Sequence, residues 1–143
     1  MYRDTIAHVT SPDGVTQDFS IQAGFLQGDT LAPFLFIIVL DHVLRKALNG
    51  NEERLGFLLE PRKSSRKGPQ VLTDLDFADD IALLANNLKD AEELLHLVEA
   101  AALKVGLGMN AKKTKAMIYN EPPSDITTLD GNDLEIVQDF KYL

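Results

Sequence analysis

The middle of the chain contains the segment Leu72-Thr73-Asp74-Leu75-Asp76-Phe77-Ala78-Asp79-Asp80-Ile81-Ala82-Leu83-Leu84-Ala85. Apolar, strand-forming residues lie on both sides of Asp79 and Asp80, so these two aspartates mark the turn of a predicted β-hairpin. Mg²⁺ prefers oxygen ligands and is usually bound by only one or two protein carboxylates, so a rigid Asp-Asp turn suits phosphoryl-transfer chemistry. Taken alone, the pair can also be interpreted as an acidic surface turn, because turns are enriched in aspartate for local reasons.

Two further aspartates lie on the first strand of this hairpin, at Asp74 and Asp76. Their spacing of two residues predicts that both side chains point to the same face. They could assist metal binding, and ordinary solvent-facing alternation explains them equally simply.

A second motif lies upstream and reads Gly24-Phe25-Leu26-Gln27-Gly28-Asp29-Thr30-Leu31-Ala32-Pro33-Phe34-Leu35-Phe36. Its glycines give a loop access to backbone angles closed to other residues, and Asp29 or Thr30 can cap the helix that follows. Pro33 fits in the first helical turn, where backbone donors have no intrahelical partner. The pattern predicts a helix from Leu31 to about Leu48, whose apolar residues 34–38 belong to the core.

Together these segments resemble the palm domain of reverse transcriptases encoded by non-LTR (LINE-like) retrotransposons. Gln27-Gly28 and Pro33-Phe34-Leu35-Phe36 match the family's motif B, and Phe77-Ala78-Asp79-Asp80 matches motif C. Two more segments extend the resemblance: Gly106-Leu107-Gly108-Met109-Asn110-Ala111-Lys112-Lys113-Thr114-Lys115 is similar to motif D, and Phe140-Lys141-Tyr142-Leu143 looks like the start of motif E. Four motifs in the right order are far more specific than any one of them.

The resemblance implies nucleotidyl transfer by two-metal catalysis, in which a primer 3′-hydroxyl attacks the α-phosphate of a dNTP. The implied partners are an RNA template and a DNA primer, and the implied cofactor is Mg²⁺, with Mn²⁺ as a substitute, weakly bound in this chain. Asp79 is the implied metal ligand, and Asp80 lies beside it with a less direct role. Gln27, Gly28 and Pro33 of motif B are placed by the resemblance near the template and the incoming nucleotide.

Lys113 is the candidate general acid or charge neutraliser near the pyrophosphate. A solvated lysine after a turn is an equally good interpretation, because Lys112 and Lys115 compete for the role.

Several departures from the family pattern limit this expectation. The other essential metal ligand, an Asp in motif A on an earlier strand, should precede the chain. Asp4, Asp13 and Asp18 are available instead, but Asp13 is explained by a turn and the other two lie in no such motif. Ala32 occupies a position where the family often has serine. Most of the fingers and all of the thumb are also missing from the sequence.

Two hypotheses follow from these observations. The first is a fragment of an RNA-directed DNA polymerase that is inactive alone, since charge stabilisation by the metals carries most of the catalysis. The second is a non-catalytic, palm-derived module that binds a protein or nucleic acid through its exposed sheet or basic loop. Self-association through unpaired strand edges is expected in either case.

The composition sets further bounds on the class of protein. The chain has 143 residues, 45% of them hydrophobic, which is enough for one domain (residues 1–143) with its own core. It contains no cysteine and no secretory signal, so we expect an intracellular protein, with cytoplasm and nucleus both open. The longest apolar run, residues 31–40, is too short to span a bilayer.

The charge of the chain is acidic, with a formal net charge of −8. Nucleic-acid binders usually carry a basic surface, so this balance argues against a self-sufficient one. Positive charge is nevertheless clustered at Arg62-Lys63-Ser64-Ser65-Arg66-Lys67 and at Lys112-Lys113-Thr114-Lys115. Either patch could contact phosphates, and the first can also be interpreted as a solvated loop between Pro61 and Pro69.

The remaining patterns predict an α+β fold: an antiparallel sheet with helices packed on one face, as in an incomplete polymerase palm. An opening hairpin is predicted around Ser11-Pro12-Asp13-Gly14. Asn87 is predicted to cap a helix whose apolar residues recur every three or four positions until Gly106 ends it. Short strands are predicted over residues 115–119 and 134–137.

Overall fold

The computed structural model describes residues 5–21, 30–120, 122 and 124–141. The chain divides into two compact units, Met1–Phe36 and Ile37–Leu143. Several residues singled out above lie outside the described residues: Asp4, Gln27, Gly28, Asp29, Tyr142 and Leu143.

The first unit contains the predicted opening hairpin. Strand β1 (Thr5–Ala7) pairs antiparallel with β4 (Phe19–Ile21), and between them β2 (Thr10–Ser11) pairs with β3 (Gly14–Val15). Pro12 and Asp13 form the turn. The Ser11 hydroxyl accepts a hydrogen bond from the Asp13 amide at 3.3 Å, so the serine side chain closes the turn that the sequence predicts.

Helix α1 (Ala32–Leu48) confirms the predicted helix, including Pro33 in its first turn. The prediction that residues 34–38 are core is wrong: Phe34, Ile37 and Ile38 are 66%, 50% and 63% exposed. The buried face of this helix lies in its second half, at Val43, Leu44, Ala47 and Leu48. When apolar residues surround the helix, the sequence does not predict which side is buried. A helix buries only the stripe against which another element packs.

Among the described residues, the rest of the second unit contains two more helices and six strands. They are α2 (Glu52–Leu55), β5 (Phe57–Glu60), β6 (Gln70–Leu72), β7 (Asp74–Phe77), β8 (Asp80–Leu83), α3 (Leu88–Leu103), β9 (Lys115–Met117) and β10 (Glu135–Val137). β5 pairs antiparallel with β6, and β7 pairs antiparallel with β8. β9 and β10 form a parallel pair. The α+β class and the antiparallel pairing are as predicted. The described strands form separate two-stranded sheets instead of one sheet, and the parallel pair was not expected.

Helix α3 supplies the centre of the core. Its first turn is capped by Asn87, whose side-chain oxygen accepts a hydrogen bond from the Asp90 amide at 2.9 Å. Leu94 is fully buried and packs with Leu55 of α2 and with the end of α1. Gly106 follows the helix with φ +77°, a left-handed conformation that glycine adopts without steric cost. The predicted start and stop of α3 are therefore confirmed.

The polar side of α3 holds the chain that leads into β10. Glu92 accepts hydrogen bonds from both the amide and the hydroxyl of Thr127, each at 2.9 Å, and these bonds lower the pKa of its carboxyl. Glu99 accepts from the Leu129 amide at 2.9 Å. These carboxylates hold residues 127–129 against α3, and the segment that follows then pairs as β10 with β9.

Candidate active site

The β7–β8 hairpin places Asp79 at its tip. The register pairs Asp74 with Leu83 and Phe77 with Asp80, which leaves Ala78 and Asp79 as a two-residue turn. Asp79 is thus the second residue of the turn, and Asp80 is the first residue of β8. Both residues are exposed. The structure confirms the hairpin expected from the sequence but shifts its turn by one residue. The prediction that Asp79 and Asp80 form the turn is wrong for Asp80, because Phe77 pairs with Asp80.

The turn that carries Asp79 has an unusual backbone. Ala78 has φ +56°, in the left-handed region that costs residues with a Cβ roughly 1–2 kcal/mol. A positive φ at the first of two turn residues is typical of a type II′ hairpin turn, where glycine is the usual residue. A strained residue directly before Asp79 indicates that the turn is held in one conformation by the strands around it.

The base of this hairpin is anchored to β5. The Leu84 amide donates to the Thr73 carbonyl at 2.8 Å, which extends the hairpin beyond β7 and β8. The Asn86 side chain then donates to the Gly56 carbonyl at 2.8 Å and accepts from the Leu58 amide at 3.0 Å. Gly56 and Ala85 also form an isolated β-bridge. These contacts join the two hairpins of the second unit and fix the start of β7.

An open cleft of about 270 Å³ lies beside β7. It is lined by Asp41, Leu44, Arg45, Leu48, Glu52, Thr73, Asp74 and Asp76. Asp74 and Asp76 therefore share one face, as their spacing predicts. Asp41 was not singled out from the sequence; its carboxylate binds the Arg45 guanidinium through Nε at 2.8 and 2.9 Å, one helical turn further along α1. An i, i+4 acid–base pair directly after the apolar first half of the helix was the available signal.

Burial in this cleft raises the pKa of the Asp76 carboxyl above its ordinary value, and the negative charges of Asp74 and Asp41 raise it further. A hydrogen bond with Asp74 acts in the same direction. The folded chain therefore holds this proton more tightly than the unfolded chain does. As a result, ionisation of Asp76 lowers the free energy of unfolding as the pH rises from the ordinary aspartate range through the raised pKa.

The residues at the hairpin tip suit part of a magnesium site. Asp79 and Asp80 offer hard oxygen ligands, and Mg²⁺ commonly uses one or two carboxylates and completes its shell with water and phosphate oxygens. Within residues 5–21, 30–120, 122 and 124–141, no group of three or more His, Cys, Asp or Glu side chains is arranged to hold a metal ion. The chain thus presents two carboxylates of the kind such a site needs, without a third from another described element.

The lysines of the motif D segment differ in their contacts. Lys115 forms an ion pair with Glu135 of β10, and its side chain is only 24% exposed. Lys113 lies in an exposed turn, where its backbone amide donates to the Asn110 carbonyl at 3.0 Å. Lys112 is also exposed. Lys115 is therefore the least available of the three lysines for a ligand, which leaves Lys112 and Lys113 as candidates.

Two other candidate residues, Pro33 and Phe140, are exposed. Pro33 is an exposed residue of the first unit, whereas Asp79, Asp80 and Lys113 belong to the second. Phe140, at the start of the motif E segment, is 55% exposed.

The sequence matches a family model over nearly its whole length. Residues 2–143 match the model described as reverse transcriptase (RNA-dependent DNA polymerase), and the chain belongs to this family. Among curated proteins it is similar to the retrovirus-related Pol polyprotein from type-1 retrotransposable element R2 of Nasonia vitripennis, with 37% identity over 90 residues. It is also similar to the R2 Pol polyprotein of Popillia japonica, with 32% identity over 103 residues. The resemblance to non-LTR retrotransposon reverse transcriptases is thereby confirmed.

The chain corresponds to a small part of these relatives. The matched regions cover 63% and 72% of this chain but only 8% and 13% of the Nasonia and Popillia proteins. No solved structure matches the chain significantly. In the portion of the chain that the structure describes, no helix has the length and apolar character needed to cross a membrane.

Proposed function

We propose that this chain is the part of an RNA-directed DNA polymerase palm that carries motifs B, C and D, and that Asp79 is its metal-binding carboxylate. The observation that carries the proposal is the two-residue turn of the β7–β8 hairpin. It presents Asp79 beside Asp80 at an exposed tip, with Ala78 in a strained conformation before them. An ordinary acidic surface turn needs no such strain, because aspartate and glycine fit turns without it.

The residues of the chain have distinct proposed roles. Asp79 and Asp80 would hold a divalent cation, Mg²⁺ or Mn²⁺, which when bound supplies charge stabilisation to the transferring phosphoryl group and activates the attacking hydroxyl. Lys113 would neutralise charge near the leaving pyrophosphate. Motif B, with Gln27, Gly28 and Pro33, would lie against the template and incoming nucleotide. The partners are an RNA template, a DNA primer and a dNTP, inside the cell.

The chain alone is proposed to be inactive. Transfer of a nucleotide between two metal ions requires carboxylates from more than one element to hold the ions on both sides of the phosphoryl group. The described residues supply Asp79 and Asp80 from one hairpin and no third metal-binding side chain beside them. Electrostatic stabilisation is usually the largest single contribution to such catalysis. A site with carboxylates from one hairpin alone should therefore catalyse almost no nucleotide transfer.

Primer extension on an RNA template tests this proposal. The chain is compared with a chimera in which it replaces the corresponding segment of an active R2-type reverse transcriptase. We expect no extension by the chain alone and Mg²⁺-dependent extension by the chimera, because the recipient supplies metal-binding carboxylates from a second element.

Two outcomes would contradict the proposal. Extension by the chain alone, lost in Asp79→Asn, would show that a substitute ligand completes the site and that the proposed inactivity is wrong. A chimera that folds and binds the primer–template but does not extend it would favour the alternative, a palm-derived module that binds without catalysis.

A further inference from the structure

The loop between β5 and β6, residues 61–69, carries a cluster of four positively charged side chains. We call this segment the basic loop. Arg62, Lys63, Arg66 and Lys67 place four cations within six residues of a chain whose net charge is −8. Residues 61–68 are all exposed. A local cluster of positive charges produces a positive electrostatic potential around the loop even though the net charge of the protein is negative.

The arginines inside and outside the basic loop differ in their partners. Arg54 binds both carboxylate oxygens of Glu93 at 2.6 and 2.9 Å, and Arg45 binds both oxygens of Asp41. By contrast, neither Arg62 nor Arg66 forms an ion pair within the described part of the chain. Among the residues that the structure describes, the Arg62 guanidinium donates to the backbone carbonyls of Ser64 and Ser65, at 3.2 and 3.4 Å.

This contrast is informative because carboxylates are abundant in the chain. The chain has 22 Asp and Glu residues against 14 Lys and Arg residues, so there are enough carboxylates for each arginine to form an ion pair. The two loop lysines do have one, since Lys63 and Lys67 lie 2.8 and 3.7 Å from Glu60. Glu60, the last residue of β5, thus pairs with the two lysines, and within the described residues Arg62 and Arg66 have no acidic partner. A guanidinium fork matches phosphate oxygens in geometry and charge.

We propose that the basic loop binds the phosphate backbone of a nucleic acid through Arg62 and Arg66, an inference that rests on the proposed polymerase function for the identity of the strand. The loop contains no large apolar side chain between Pro61 and Pro69, so it lacks the residues with which a protein inserts into a lipid surface. Phosphate contacts by arginine position a nucleic acid without reading its sequence.

The covalent connection between the basic loop and the hairpin tip is short enough for one duplex to contact both. Pro69 and Ala78 are separated by the strands β6 and β7, and nine residues span at most about 30 Å when fully extended. One turn of a nucleic acid duplex is about 34–36 Å long. A duplex bound at Asp79 would therefore pass within reach of the basic loop in about one helical turn.

The test is the salt dependence of binding to a fluorescein-labelled RNA–DNA hybrid duplex, measured by anisotropy in EDTA. The double variant Arg62→Ala/Arg66→Ala is compared with the unmodified chain between about 50 and 200 mM NaCl. Each lost phosphate contact reduces the slope of log K against log[salt] by about 1, so the expected reduction is about 2. The affinity at the lowest salt should fall by about tenfold or more.

Two control variants make the result specific. Arg62→Lys/Arg66→Lys keeps both charges and should keep the slope. Lys89→Ala/Lys104→Ala removes the same charge from exposed positions at the two ends of α3 and should also keep it. An unchanged slope in the arginine variant, an equal loss in the α3 variant, or no binding by the unmodified chain would overturn the inference. Binding to phosphatidylserine vesicles but not to the duplex would also overturn it, in favour of a lipid headgroup.

The two proposals can fail separately. The binding measurement is made in EDTA and therefore does not require the metal, whereas primer extension does. If the slope falls as expected but the chimera does not extend primers, only the polymerase proposal fails. If the chimera extends primers and the arginine variant keeps its slope, only the loop proposal fails.

Discussion

Asp79→Asn is expected to reduce primer extension by the chimera about a thousandfold or more. The substitution keeps the size and shape of the side chain and removes the negative charge that would hold a divalent cation. Loss of one preorganised electrostatic group typically lowers the rate by a factor of about 10² to 10³. Loss of a metal ligand should lower it further, because the bound metal stabilises several charges of the reaction at once. The measurement is the single-turnover rate of nucleotide addition at saturating dNTP.

Two further variants show whether the effect belongs to Asp79. Asp80→Asn is expected to reduce the rate less, because Asp80 is the first residue of β8 rather than part of the turn. Asp130→Asn changes an exposed aspartate in another turn and should leave the rate unchanged. Extension by Asp79→Asn at the rate of the unmodified chimera would contradict the assignment of the metal ligand.

Gly56→Ala is expected to lower the free energy of unfolding by about 3 kcal/mol, at the upper end of the usual cost of overpacking. A Cβ at this position would lie 2.7 Å from the Glu52 carbonyl oxygen and 2.9 Å from Cγ2 of Thr73. The closer atom belongs to the backbone and cannot rotate away. Gly56 also joins β5 to the base of the β7–β8 hairpin, so the strain should reach the start of β7.

Gly68→Ala is the matched control for this substitution. Gly68 has no positive φ, and the nearest atom to its added Cβ would be the end of the Glu53 side chain at 4.0 Å. We expect a change within about 0.5 kcal/mol, or a slight stabilisation from the lower entropy of the unfolded chain. Urea unfolding midpoints measure both variants. Equal shifts for the two alanines would show that the packing around Gly56 is not as tight as the structure indicates.

Local patterns explain which elements the sequence could predict. The β7–β8 hairpin and helix α3 each combine a regular apolar period with a turn or a capping residue, and the structure contains both. These features depend on neighbours within a few residues, so the sequence specifies them directly.

Features that depend on distant contacts could not be predicted in the same way. The apolar start of α1 suggested burial, but exposure at Phe34 is decided by which other elements pack there. The parallel pairing of β9 with β10 depends on residues 127–129 binding to α3 through carboxylates far away in sequence. Asp41 and Asp76 line the same cleft although they lie far apart in the sequence, so this arrangement also depends on distant contacts. Periodicity carries no information about these pairings.

The most direct test of the central claim is Mn²⁺-induced paramagnetic broadening of the amide NMR signals of this chain. A metal held by the hairpin tip should broaden the signals of residues 78–80 first, and Asp79→Asn should abolish that effect while Asp76→Asn preserves it. Broadening centred on the cleft of Asp41, Asp74 and Asp76 that survives Asp79→Asn would contradict the account and place the cation beside β7 instead.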